Sequence, residues 1–441
     1  MAAMQFADPY MFGAVASACQ DLREVAEVVL PCLARESFAR HHITAGALHS
    51  AVADGSDGGL FTFGLDPQQR GFLGHGKSVG EYLPLPPLRV PTYGARIIAV
   101  STHSLHTLAL TASGHVYSFG HGQRGQLGHG DLADLWQPRL IDTLAEVHIV
   151  AVSAGQQHSL VLSNGGTPYA FGSGFGGKLG LGDLQCRALP TQIDALTDVA
   201  IGVLVAGATH SLAATQLTGQ VYSFGSNGTY QLGHGTREDE HTPRLVSALH
   251  GIHIVQLAGG EHHSLAVGRG GVCYSWGAGE ARERTSTWVG GWLGHRTMED
   301  TLLPRQIDAL SGVHVVAVAA GSRHSLALAK DGAVFSFGDG SGGKLGHNDG
   351  EGMHWVPKRI CMLDRVRVGA ISAGDTHSMC SLRDGCVLTW GCGYALGLGA
   401  SALTEHTTDQ PTSSASAGNY EWAPGDEGRR RRALVPTPIR L

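Results

Sequence analysis

Charge is scarce in this chain. Only 15% of its 441 residues are Asp, Glu, Lys or Arg, and the formal net charge is -6. That is too little charge for a disordered polyelectrolyte. The sign is also wrong for a sequence-independent binder of nucleic acid, which carries a basic excess, so direct nucleic-acid binding is not expected. No run of 18 uncharged apolar residues occurs, so no membrane-spanning helix is expected. A secretory pattern is missing as well: the first basic residue is Arg23, and Asp8 interrupts the apolar start. None of the eight cysteines forms a C-x-x-C pair, which argues against a structural zinc site. In a chain long enough for a large core they read as reduced thiols. No paired-carboxylate, Cys-His or H-E-x-x-H constellation stands out. These absences lead to an intracellular protein, cytoplasmic or nuclear, without metal or cofactor.

What the chain has in excess is glycine: 64 residues, about double the usual ~7%. There is no G-X-Y period, so collagen is excluded. Glycine at this level beside 42% hydrophobic residues points to many short strands joined by tight turns.

The glycines recur in a pattern. G-x-x-H-[ST] appears around His49, His158, His210, His263, His324 and His377, and a seventh copy around His106 has His103 in the glycine position. Successive histidines are 57, 52, 52, 53, 61 and 53 residues apart. Each copy continues with an aromatic-Gly pair (Phe119-Gly120, Phe171-Gly172, Trp276-Gly277 and their equivalents), then a Leu-Gly pair such as Leu127-Gly128, then a proline opening a segment such as "PRLIDTL". "IVAVSAG", "HSLVLS" and "VYSFG" read as strands, and Pro138, Pro190 and Pro243 suit a strand start or edge. Pairs such as Ser113-Gly114, Asp331-Gly332 and Asp384-Gly385 mark turns between the second and third strands.

A four-stranded unit of roughly 52 residues cannot bury both its faces, but several arranged radially can. The expected fold is therefore all-β: a seven-bladed β-propeller over residues 43–441, preceded by an N-terminal segment, 1–42, with a short helix. The first and last strands of the repeat region are expected to pair in one blade and close the ring.

Two inserts break the period. One, at about 278–292, is nine residues longer than in most copies and is expected to be an exposed loop carrying Arg282, Arg284, Trp288 and Trp292. These four are the candidate partner-binding residues, since Trp and Arg dominate interface hot spots. The other, at about 400–435, includes "TTDQPTSSASAG" and four arginines, Arg429 to Arg432, and reads as a disordered loop.

Two features invite a chemical reading. The repeated His-Ser/Thr pairs resemble a base beside a nucleophile, but a triad needs one serine and a third, orienting group. Seven copies read instead as structural anchors, each satisfying local backbone groups. "GSGFGGKLGLG" (172–182) resembles a phosphate-binding loop, yet Leu179 follows the lysine where Ser or Thr is required. The same slot recurs as "GHGQRGQLGHG" and "GDGSGGKLGHN", so the glycines read as punctuation between strands.

The combination G-x-x-H-[ST]-L-A-L, V-Y-S-[FW]-G and G-x-L-G-H-G, best seen in 152–162, 257–267 and 317–328, resembles the repeats of the regulator of chromosome condensation family. The resemblance covers about residues 43–441 and implies a seven-bladed propeller. The family's founding member is the guanine-nucleotide exchange factor for the small GTPase Ran. Other members are interaction modules, for example in HECT-type ubiquitin ligases, and one plant branch is a UV-B photoreceptor. This chain departs from the photoreceptor's G-W-R-H-T. It also departs from the exchange factor: residues 1–22 hold no Lys or Arg, the second to fourth copies are near minimal length, and G-x-N-D becomes "GQRGQLG" or "GFGGKLG". The expectation is a protein-protein interaction propeller, scaffold or adaptor, without bond-making chemistry. The alternative is an exchange factor for a Ran-like small GTPase.

Overall fold

The computed structural model describes residues 42–76, 85–282, 288–347, 352–397 and 432–439. The expected N-terminal helix, Arg284 and nearly all of the 400–435 insert lie outside them.

Each repeat forms one four-stranded antiparallel sheet, and seven such sheets make an all-β propeller. Helix among the described residues is limited to single turns of 3₁₀. In blade two the chain passes from the inner strand Ile97–Thr102 through His106–Thr111 and Val116–Gly120 to the outer strand Leu135–Leu140. The second strand is buried along its whole length, because it has a strand on each side and a blade against each face. That is why it reads as a nearly continuous apolar run. The inner strand carries a bulge: its register slips between Ile97 and Ala99, and Ile98 is turned out to solvent.

The core is divided among the junctions between blades. Leu108, Leu110 and Val116 of blade two pack on Ala154, Val161 and Phe171 of blade three. Burying each such side chain is worth roughly 1.5–3 kcal/mol. At the last junction Ile43, Val52 and Phe63 of blade one meet Met379, Val387 and Ile439 of blade seven.

The expected strand exchange does not occur. The first strand, His42–Ala45, pairs with His49–Ala53 inside blade one, and the last, Arg432–Ile439, pairs with Val387–Cys392 inside blade seven. Every repeat is already in phase with one blade, inner strand to outer, so no strand is left to share. The ring closes face to face, through the contacts used at the other junctions. A Cβ on Gly180 would lie 2.8 Å from the Phe224 ring of the next blade, and one on Gly397 would lie 2.7 Å from Phe63 of blade one. The glycine of each Leu-Gly pair thus seats the next blade's aromatic ring.

The reduced-thiol expectation is corrected at Cys386. Cys186, Cys273, Cys361 and Cys380 are free thiols, whereas Cys386, half-buried at the turn after Gly385, is disulfide-bonded.

Register fixes what lies at each end of the propeller. His106 pairs with Gly120, so the turn before each histidine and the loop after each third strand emerge on one face. Both inserts fall in sequence between a third strand and an outer strand, and the strand ends that flank them, after Gly277 and Cys392 and before Thr301 and Arg432, lie on that face.

Candidate functional site

All seven repeat histidines are fully buried on this face. Their partners are not the local backbone groups expected from the sequence. Each Nε2 reaches the hydroxyl of the following blade: His49 to Thr107 (3.0 Å), His106 to Ser159 (2.8 Å), His158 to Ser211 (3.0 Å) and His210 to Ser264 (2.8 Å). The series continues with His263 to Ser325 (2.9 Å) and His324 to Ser378 (2.8 Å), and closes with His377 to Ser50 (2.7 Å). The local pattern could not show this, because each partner lies one repeat away.

The proton positions follow from the acceptors. Ser159 donates to the Gln126 carbonyl (2.8 Å), Ser211 to Lys178 (2.7 Å), Ser264 to Gln231 (2.7 Å) and Ser325 to Trp292 (2.7 Å). Ser378 donates to Lys344 (2.8 Å) and Ser50 to Ala395 (3.1 Å). A carbonyl only accepts, so each hydroxyl spends its single proton there and accepts from the histidine Nε2–H. A serine nucleophile would need the reverse, with its proton given to the ring.

The other ring nitrogen explains the glycine. Among the described residues none of the seven Nδ1 atoms has a hydrogen-bond partner. A Cβ on Gly155 would lie 2.4 Å from Cε1 and 2.6 Å from Nδ1 of His158, and Gly207, Gly260, Gly321 and Gly374 stand in the same relation to their own histidines. The imidazole edge packs flat on the glycine backbone. Burial holds the rings neutral: it pushes His49, His106, His210 and His263 down to about 3 and His377 to about 4, and it sets His158 and His324 well below the ordinary range.

A second histidine set went unread in the sequence. The third-strand hydroxyls of Thr62, Ser118, Ser223, Ser275 and Ser336 meet His75, His129, His234, His295 and His347 at 2.8–2.9 Å. The same hydroxyls donate to the carbonyls of Leu73, Leu127, Leu232, Leu293 and Leu345. Blade three loses both members together, with Ala170 and Leu181 in their places. Blade seven keeps the hydroxyl, Thr389, but has Leu398 in the histidine position, so the signal that could have revealed the pair is the Leu-Gly-His shared by the other five copies.

Of the candidate partner residues, Arg282 and Trp288 are register partners in the backbone of a two-stranded hairpin, Glu280–Arg282 with Trp288–Gly290. Trp292 is not exposed, contrary to expectation. It is fully buried, its Nε1 donates to the Ala278 carbonyl and its own carbonyl receives Ser325. It stands directly before Leu293-Gly294, the slot whose carbonyl ties down the next blade, and that slot is interior.

The glycine loop of blade three makes one turn of 3₁₀ helix, Phe175–Gly177, with Gly176 at φ 70°, and Lys178 is only 2% exposed. The helix N-terminus that a phosphate loop uses is not part of this turn. The central channel is lined by small side chains, among them Ala45, Ser101, Ala154 and Ala320, with His103 and Asp375 at one end.

A family model described as "RCC1-like domain" matches residues 20–311, and models of the "Regulator of chromosome condensation (RCC1) repeat" match 331–381 and 315–344. The human E3 ubiquitin-protein ligase HERC2 is 36% identical over 300 residues, 67% of this chain but 6% of the ligase. The ultraviolet-B receptor UVR8 of Arabidopsis thaliana is 34% identical over 297 residues, 67% of this chain and 65% of the receptor. Among solved structures, Prp20p of Saccharomyces cerevisiae, described with its binding to Gsp1p and histones, superposes with a TM-score of 0.68 at 22% identity, covering 92% of this chain and 89% of that one.

Proposed function

Because the chain belongs to the regulator of chromosome condensation repeat family, we propose that it is a protein-interaction propeller, a scaffold or adaptor without bond-making chemistry. The observation that carries this reading is the commitment of the serine protons. In six blades the hydroxyl that could act as a nucleophile already donates to a carbonyl and accepts from its histidine. In this reading the seven histidines are anchors between blades. The partner surface lies on the face of the strand ends that flank both inserts, with Arg282, Arg284 and Trp288 as its candidate contacts. No helix among the described residues is long and apolar enough to cross a membrane, and we place the protein in the cytoplasm or nucleus. Proximity labelling in cells tests the reading: a defined partner set, lost when residues 280–290 are replaced by a short Gly-Ser turn, supports it.

The second reading, exchange on a Ran-like GTPase, takes its cue from the yeast neighbour's binding to Gsp1p. An exchange factor needs no acid or base, because it works by binding the nucleotide-free GTPase better than the loaded one. Catalytic amounts of the protein, added to Ran and a panel of small GTPases loaded with fluorescent GDP, decide between the two. Accelerated release establishes exchange, and unchanged release leaves the scaffold.

A further inference from the structure

Blades three and six carry the same loop with different electrostatics. In blade six the buried Lys344 ammonium is fully answered: Nζ donates to Asp339 Oδ2 (2.6 Å) and to Ser341 Oγ (2.7 Å), and both Lys344 and Asp339 are buried. The aligned residues of blade three are Lys178, Ser173 and Phe175. The carboxylate has become a hydroxyl and the hydroxyl has become an aromatic ring.

Lys178 is 2% exposed, yet among the described residues its ammonium has no ion pair and no hydrogen-bond acceptor. Burial pushes it down to about 8; the Cys186 thiol opposes this and Arg124 adds to it. A buried cation without a counter-charge is costly, and the fold has an internal example of how to remove that cost. Blade three does not use it. In the same loop Phe175 is 73% exposed and Leu184 is 51% exposed. Phe175 stands where blades two and six carry Gln123 and Ser341, whereas exposed Leu184 has an exposed counterpart in Leu132 of blade two.

We propose that the blade-three loop is a docking site for an acidic segment of a protein partner. A partner carboxylate supplies the counter-charge that Asp339 supplies in blade six, and apolar residues flanking it pack on Phe175 and Leu184. The flexible four-carbon stem of Lys178 lets the ammonium swing out to meet the carboxylate. The exposed Phe175 and Leu184 favour a protein segment over a free small anion. The proposal rests on the interaction-propeller reading and names the chemistry of one partner.

The test uses the full chain and a fluorescein-labelled peptide of alternating glutamate and leucine, with the glutamine counterpart as control. The glutamate peptide should bind at least tenfold more tightly than the control. Lys178→Gln should erase that difference; Gln126 and Gln231 occupy the same position in blades two and four, so the variant is expected to fold. Ser173→Asp rebuilds the blade-six pair, and should raise the melting temperature while abolishing peptide binding. Phe175→Ser should weaken binding of both peptides at least threefold. Equal affinity for the two peptides, a Lys178→Gln variant that keeps the difference, or inorganic phosphate binding as tightly as the peptide would each overturn the proposal. Partners captured by proximity labelling and unchanged by Lys178→Gln would remove this site and leave the interaction reading standing. Capture of no partner by the wild type would remove the reading itself.

Discussion

An imidazole that donates through Nε2 and lays its Nδ1 edge on a glycine leaves no room at that edge for a Cβ. Gly207→Ala puts a methyl carbon 2.5 Å from Cε1 of His210, and overpacking of this kind costs about 1–3 kcal/mol. His210→Ala removes a buried ring and leaves the Ser264 hydroxyl one donor short, for about 2–4 kcal/mol. Urea unfolding of both variants checks these values. Losses below 0.5 kcal/mol would mean that the ring and the glycine are not packed as described. The sequence shows which residues matter here, since both recur in the repeat. It does not show why, because the histidine's partner lies in the next blade and its glycine contact depends on ring orientation.

Between elements, the third-strand hydroxyl and the Leu-Gly-His loop behave as a unit. Ser223→Ala alone leaves His234 and the Leu232 carbonyl without their partner, which costs about 1–3 kcal/mol. Adding His234→Leu imports the Ala170–Leu181 arrangement of blade three and should recover at least half of the loss. A double-mutant cycle by urea unfolding reads the coupling; strictly additive losses would contradict it. At this scale much was legible. The strands, their turns at Ser113-Gly114 and Asp331-Gly332, and the slot after each third strand follow from periodicity and turn chemistry. The hairpin of 280–290 and the burial of Trp292 did not follow. An insert's composition marks it as extra chain but does not show which of its residues fall back into the repeat's interior slot.

For the whole molecule, seven neutral histidines make the ring acid-labile. Their folded values lie at about 3 to 4 or lower, below the roughly 6.5 of an unfolded chain. Between pH 6.5 and 4 the unfolded state therefore binds more protons, and stability falls as pH falls. Each histidine contributes about 1.4 kcal/mol per pH unit within that window. Asp375, raised to about 7 by burial and by the Glu261 charge, and Asp66, raised by burial, work in the opposite direction, as two carboxyls against seven rings. The urea midpoint should drop steeply between pH 6.5 and 5, and a flat profile would contradict the neutral ring. Closure belongs to this scale too. The repeat count gives the number of blades, but a cyclic repeat does not reveal whether its ends share a blade. Only the pairing of His42–Ala45 with His49–Ala53 settles that they do not.

The central claim is that the repeat histidines tie each blade to the next and are not poised as bases. Imidazole nitrogen NMR of histidine-labelled protein reads it directly. Seven rings should appear as the neutral tautomer protonated at Nε2, and should stay so down to the acid limit of folding. Any of these seven rings, each assigned by single substitution, found protonated at Nδ1 or titrating near pH 6.5 in the folded state would contradict it.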